Sequence, residues 1–397
     1  MFEVLRGQPS FRRFWLGQVA SQIGDQVHDL TVLWLVYSWT GSGLAVGGVL
    51  IASTLPGVLV APLAGNVADR ASRKTLLVAS DLSRAVVALY LWWRAFSGAL
   101  GLWELMAATA LLSLGGAFFN PAAMAWLPSV VEESRLTQAN AFSQLSTSAC
   151  GVLGPLLGSS LVALIGPPAA FAANGLSFLF SAALEATVAA GNPPEPDQRG
   201  FWASLKDGWR SALAQPLVGR LMGPIVVVNF FFSGVVVLLP VLAEGVYKMG
   251  PAGLGYLMSA FAGGMLVGVS GLALWGPSKR RGWIVLAGLA LLGAGFLGAG
   301  ALLVFPLTLA ALGLAGLAVA AVNVTLITLY QVLVPDADRG KVFGLVTALS
   351  LSLVPVSYGV MGALAELFDP RAIFAACGAV ILLCTLDLLR VKELRAV

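Results

Sequence analysis

Twelve stretches of about 20 predominantly apolar residues, each long enough to cross a bilayer as a helix, follow one another along this 397-residue chain. Their approximate limits are 14–39, 44–66, 75–93, 102–127, 139–164, 169–189, 217–243, 252–275, 283–304, 307–330, 342–365 and 372–389. Only 11% of residues are charged, against roughly a quarter in soluble domains, so the chain lacks the polar surface needed to face water. Hydrocarbon offers the backbone no hydrogen-bond partner, and a segment immersed in it must satisfy its own amides, which a helix does. The fold class predicted is an all-α membrane protein.

The basic residues give the orientation. With the N-terminus inside, 19 of the 23 Lys and Arg fall on cytoplasmic segments. Arg94, Lys248 and Arg371 fall outside, and Arg84 lies within a span. This bias follows the positive-inside rule and predicts both termini in the cytoplasm. The net charge of +4 therefore reports orientation rather than nucleic-acid binding. No short apolar core followed by a small-residue cleavage site marks a removable signal. The expected location is the bacterial cytoplasmic membrane, with the lipid bilayer as solvent. Cys377 and Cys384, seven residues apart on one span, lie about 10 Å apart along the axis, too far for a disulfide. They read as packing residues.

Composition changes at Asn192-Pro193-Pro194-Glu195-Pro196-Asp197, which cannot be helical throughout and reads as a linker. Beyond it, Phe201, Leu205, Trp209 and Leu213 share one helical face, as in a helix lying in the membrane interface or on a protein surface. The expected organisation is an N-terminal six-helix bundle over 1–190, a cytoplasmic linker over 191–216 and a C-terminal six-helix bundle over 217–397. The halves repeat at an offset of 207: Gln8-Pro9 falls on Gln215-Pro216, Arg13 on Arg220, Ser72-Arg73-Lys74 on Lys279-Arg280-Arg281, and Pro128 on Pro335. Such a repeat suits two pseudo-symmetric bundles related by an axis along the membrane normal.

Gly65-Asn66-Val67-Ala68-Asp69-Arg70-Ala71-Ser72-Arg73-Lys74 resembles the loop signature of the major facilitator superfamily. Gly151-Val152-Leu153-Gly154-Pro155-Leu156-Leu157-Gly158 resembles its antiporter signature, with Ser159 in place of the final Gly. Phe11-Arg12-Arg13-Phe14, Asn120-Pro121-Ala122, Leu136-Thr137-Gln138-Ala139-Asn140, Val334-Pro335-Asp336 and Arg339-Gly340-Lys341-Val342-Phe343 resemble the macrolide-efflux and siderophore-exporter branch. The resemblance implies a twelve-span transporter whose first, fourth, seventh and tenth spans line a cavity. It also implies a cytoplasmic gate in which Gly65, Asp69, Arg70, Arg73 and Lys74 meet the start of the eleventh span near Arg339. The alternative is that these charges only set topology. One departure weakens proton coupling by the family's usual route: Leu112 stands where many proton antiporters carry an intramembrane Arg.

The first span carries the most informative residues. Gln18, Gln22, Asp25 and Asp29, spaced four, three and four, form one helical stripe. An Asp at mid-membrane costs about 2.5–3.5 kcal/mol on insertion scales, and Phe232 and Val236 occupy the equivalent places of the second half. The fold therefore does not require the acids. Two carboxylates one turn apart resist ionising together in a poorly solvated site. Such a pair suits proton carriage, or the binding of a cationic cargo in competition with protons. His28, the sole histidine, is open to two readings, proton relay or packing. Asp81 and Arg84, at i and i+3 in the third span, form an expected ion pair, or else tune the first-span acids. Gly151, Gly154, Pro155 and Gly158 allow a bend or close helix approach in the fifth span. Asn229, Ser233, Asn323 and Tyr330, with Thr328 and Gln331, are polar residues available to contact cargo.

Gly293-Ala294-Gly295-Phe296-Leu297-Gly298 fits the dinucleotide pattern but lies inside a span with no preceding strand. No metal-ligand spacing, cofactor signature or catalytic triad is visible, so neither enzyme nor cofactor is expected. The function predicted is proton-coupled export of an amphipathic small molecule by a monomer. A siderophore exporter or lysolipid flippase is the alternative, and a non-transporting scaffold or receptor the more distant one.

Overall fold

The computed structural model describes residues 7–188, 216–275, 280–302, 304–334 and 336–396, without the side chains at 69, 70, 133, 216, 275, 336–341 and 343. The linker and the amphipathic helix expected at 201–213 lie outside the described residues. Twelve long helices are present among those described: α1 (Pro9–Thr40), α2 (Gly43–Arg70), α3 (Arg73–Phe96), α4 (Leu102–Trp126), α5 (Leu136–Leu164), α6 (Pro167–Ala186), α7 (Pro216–Pro240), α8 (Gly250–Trp275), α9 (Arg281–Ala301), α10 (Phe305–Leu333), α11 (Asp336–Leu367) and α12 (Pro370–Leu389). A four-residue helix, α13 (Lys392–Arg395), follows.

Eleven of the twelve are long and apolar enough to cross a membrane. The exception is α1, diluted by Gln18, Gln22, Asp25, Gln26, His28 and Asp29. Several helices outrun their apolar stretches. α1 begins at Pro9 and α11 at Asp336, about one and a half turns ahead of the apolar stretches that start at 14 and 342. Local chemistry marks the ends. Ser72 caps α3 by accepting from the Thr75 amide, and Asp369 caps α12 by accepting from the Arg371 amide at 2.8 Å. Gly166 has φ +104°, a conformation only glycine adopts freely, and Pro167 then starts α6. After Pro240, α7 continues as a π-helical turn over Val241–Val246.

The helices form two compact units. The first holds α1, α2 from Gly48, α3 to α6 and Met249–Gly255. The second holds Gly41–Gly47, α7, α8 from Tyr256 and α9 to α12. In the first unit α6 packs on α1 and α3, α5 on α1, and α4 on α3. In the second, α9 packs on α10 and α12, and α7 on α11 and α12.

Small residues permit the closest approaches. A Cβ at Gly158 of α5 would stand 3.0 Å from the Val27 Cα of α1, and one at Gly154 would collide with Gln26. At the end where α1 begins, Phe14 meets Trp126 edge-on at 5.4 Å within a cluster that includes Phe11, Leu77, Phe119 and Phe142. In the second unit, Phe296 stacks on Phe232 and meets Phe374 edge-on. Large apolar side chains such as Met124, Leu164 and Leu274 stand outward and exposed, an arrangement that lipid tolerates and water does not.

Candidate transport site

The two units differ in what they bury. Among the described residues, the buried charged groups Asp81, Arg84 and Glu185 all belong to the first unit. The buried polar residues of the second are hydroxyls: Ser233, Ser259, Thr308, Thr325, Ser357 and Thr385.

Helical spacing decides what α1 presents. Gly17 and Gly24 lie against Ser181, Asn174 and Ser177 of α6, and His28 meets the Phe171 ring of α6 at 5.4 Å. Gln26 and Val27 lie against α5. At 100° per residue, Gln22, Asp25 and Asp29 occupy the remaining side, with Gln18 at its α6 edge. Asp29 is exposed there, and the Asp25 side chain is 43% exposed. Gln18 and Gln22 are half-buried. His28, by contrast, is buried on the α6 side and turned away from the stripe.

Arg84 of α3 ties the acids together. It forms an ion pair with Asp81 one turn earlier, and its Nη1 stands 3.7 Å from Asp25 Oδ2 of α1. Its guanidinium lies between two aromatic rings, 4.4 Å from the Phe119 centroid and 4.3 Å from that of Phe178. The electron-rich face of an aromatic ring attracts a cation, and more strongly where water is excluded.

The group that sequence reasoning passed over is Glu185 of α6. It is fully buried beside Ser181 and faces Gln18, Asp81 and Arg84. A signal existed. Glu185 is the only acid in its span, with a serine four residues before it on the same face.

In the second unit a cavity of about 650 Å³ opens between α7, α9, α10 and α11. Its walls are apolar, with Phe232, Leu289 and Val322 among them, and neutral polar groups stand at Asn229, Asn323, Tyr330, Gln331, Thr347 and Ser350. Asn229 donates to the Ser350 carbonyl at 3.5 Å. Ser233 is buried one turn away and donates to Asn229 Oδ1 at 3.4 Å, supporting that residue rather than lining the cavity. Thr328 instead satisfies its hydroxyl on the Val324 carbonyl.

Of the residues expected to form a gate, Arg73 donates to the Ala125 carbonyl at 2.6 Å, placing a cation at the C-terminus of α4. A Cβ at Gly65 would meet nothing within 4 Å. Lys74 is half-buried. The side chains of Asp69, Arg70 and Arg339 lie outside the described residues. In the antiporter-like segment, Gly154 and Gly158 are buried against α1, Pro155 is buried, and Gly151 is half-buried.

A sequence model of the Major Facilitator Superfamily matches residues 14–356. Macrolide efflux protein A of Streptococcus pyogenes is 24% identical over 291 residues, 71% of this chain and 70% of that protein. The Enterobactin exporter EntS of Escherichia coli O1:K1 / APEC is 29% identical in an alignment covering 99% of this chain and 94% of that one. A bacterial homologue of the iron transporter ferroportin, solved in an inward-facing state, superposes with a TM-score of 0.75 at 16% identity, covering 96% of this chain and 98% of that one. A bacterial homologue of the human lysosomal transporter Spinster gives 0.70 at 15% identity, covering 98% and 95%. Similarity at these identities establishes the fold these structures share.

Proposed function

The chain belongs to the Major Facilitator Superfamily, and we propose that this transporter exports an amphipathic small molecule of the drug or macrolide class in exchange for protons. The cycle is alternating access of its two six-helix halves. It works as a monomer in the bacterial cytoplasmic membrane, with both termini inside.

One observation carries the coupling. Asp25 and Asp29 stand on the side of α1 that neither α5 nor α6 covers, with Arg84 3.7 Å from the first. Carboxyls one turn apart share protons more readily than both ionise. A cationic cargo approaching them competes with those protons. Binding cargo then expels protons, and protons arriving from outside expel cargo.

The second unit's cavity supports the cargo class. Its apolar walls suit the hydrophobic body of a ligand, and its amide and hydroxyl groups suit a few polar positions. The name of the macrolide relative supports this reading. A siderophore as cargo is the second reading, supported by the enterobactin-exporter relative that aligns along nearly the whole chain.

The test is efflux of macrolides, cationic dyes and catecholate siderophores from cells, with and without an imposed pH gradient. Wild type is compared with Asp25→Asn, Asp29→Asn and the double variant. The double variant is expected to lose gradient-driven efflux. Retention of that efflux would refute coupling through α1, and transport of the siderophores alone would shift the cargo to the second reading.

A further inference from the structure

Glu185 has no part in the cycle described above, yet it is fully buried and its Oε2 has no hydrogen-bond partner. Asp81 is equally buried, with Oδ1 on Arg84 and Oδ2 without a partner. Beside both stands Ser181, whose hydroxyl donates to Glu185 Oε1 at 3.4 Å. That one proton is used there, so neither Glu185 Oε2 nor Asp81 Oδ2 receives it.

The charges lead to the same place. From α3, Asp81 and Arg84 face Glu185; from α1, the neutral Gln18 does. The helix α5 carries no charged residue between Leu136 and Leu164. One guanidinium thus stands against two enclosed acids, and it also leans toward Asp25. An uncompensated buried carboxylate costs several kcal/mol, and such a group neutralises by holding a proton.

We infer that Asp81 and Glu185 form a second proton-binding site, with the proton on Glu185, and that Arg84 links its occupancy to that of Asp25. When Asp25 ionises it draws on Arg84, so Asp81 loses part of its counter-charge and the buried pair holds its proton more firmly. When Asp25 is protonated, Arg84 turns fully to Asp81 and the hold weakens. Protons at the two places are coupled ligands, and the coupling is reciprocal. The role in transport rests on the proton-coupled reading above; the protonation itself does not.

The experiment is infrared spectroscopy of the purified full chain in lipid vesicles, in H2O and D2O, paired with efflux assays. Wild type should show the carbonyl stretch of a buried protonated carboxylic acid. Glu185→Gln should lose it, and the Asp25→Asn/Asp29→Asn double variant should keep it. In Glu185→Gln, gradient-driven efflux should fall by about tenfold, within the ordinary range of coupling between two ligands, while exchange at zero gradient persists. Absence of the band in wild type, or its persistence in Glu185→Gln, overturns the proposal. So does retained gradient-driven efflux in Glu185→Gln, or an equal loss of driven efflux and exchange. Should Glu185→Gln fail to assemble, Asp81→Asn leaves Glu185 as the buried partner of Arg84 and must abolish the band; a surviving band overturns the assignment. If the double variant retains driven efflux, the α1 coupling fails, whereas the band in Glu185→Gln still decides this site.

Discussion

Arg84 Nη1 on α3 stands 3.7 Å from Asp25 Oδ2 on α1, so an ion contact joins two helices through a guanidinium that is itself buried. Arg84 also pairs with Asp81 and lies between the Phe119 and Phe178 rings. Removing it withdraws charge, stacking and a hydrogen bond together.

Arg84→Gln is therefore expected to destabilise the protein by about 3 kcal/mol or more, since it strands a buried carboxylate. Adding Asp81→Asn to the same chain should recover a large part of the loss. Thermal unfolding in detergent, followed for both variants, checks this. A double variant no more stable than Arg84→Gln would show that Asp81 is not the stranded charge.

Close packing between α1 and α5 gives a second expectation. Gly154→Leu and Gly158→Leu drive side chains into Gln26 and Val27 and should each cost about 1–3 kcal/mol or more, as over-packing does. Gly65→Ala adds its methyl to open space and should be neutral or slightly stabilising, because alanine favours a helix by up to about 1 kcal/mol over glycine. Unfolding midpoints of the three variants should separate accordingly.

Cargo selection should change without a change in coupling when the second unit's cavity is altered. Asn323→Leu removes a neutral hydrogen-bonding group from the cavity wall. The expected effect is a rise of about tenfold or less in the KM of cargoes that use it, the worth of one hydrogen bond. Their dependence on the pH gradient should stay as in wild type. Thr328→Val is the control, because that hydroxyl bonds its own helix at Val324. Equal effects of the two substitutions would argue against cargo contact at Asn323.

Outside the membrane spans, Asp369 is held below the ordinary Asp value, first by the hydrogen bond from the Arg371 side chain and also by the Arg371 amide. A carboxyl with a depressed folded value stabilises the folded state above its unfolded value of about 3.9 and loses that contribution as pH falls through the lower folded value. The carboxylate is half exposed, so solvent screening leaves a small effect, below about 1 kcal/mol. Asp369→Ala should lower the unfolding midpoint slightly at neutral pH, and the difference from wild type should shrink in acid. A difference independent of pH would assign the effect to loop geometry alone.

The number, type and approximate limits of the helices were legible in the chain itself. A segment that enters hydrocarbon must close its own hydrogen bonds, and apolar length is counted along the sequence. The stripe of Gln18, Gln22, Asp25 and Asp29 was legible for a related reason, since helical periodicity places residues four apart on one side. The role of Arg84 was only half legible: its partner Asp81 is one turn away, but Asp25 lies on another helix. Glu185 went unread because its meaning depends on Asp81 and Arg84, which come about a quarter of the chain earlier. Which acids are enclosed and which stand open is settled by the packing of α6 between α1 and α3. Local periodicity assigns a residue to a face; only the contacts among helices decide what covers that face, and in a dry interior that cover determines whether a carboxyl keeps its charge.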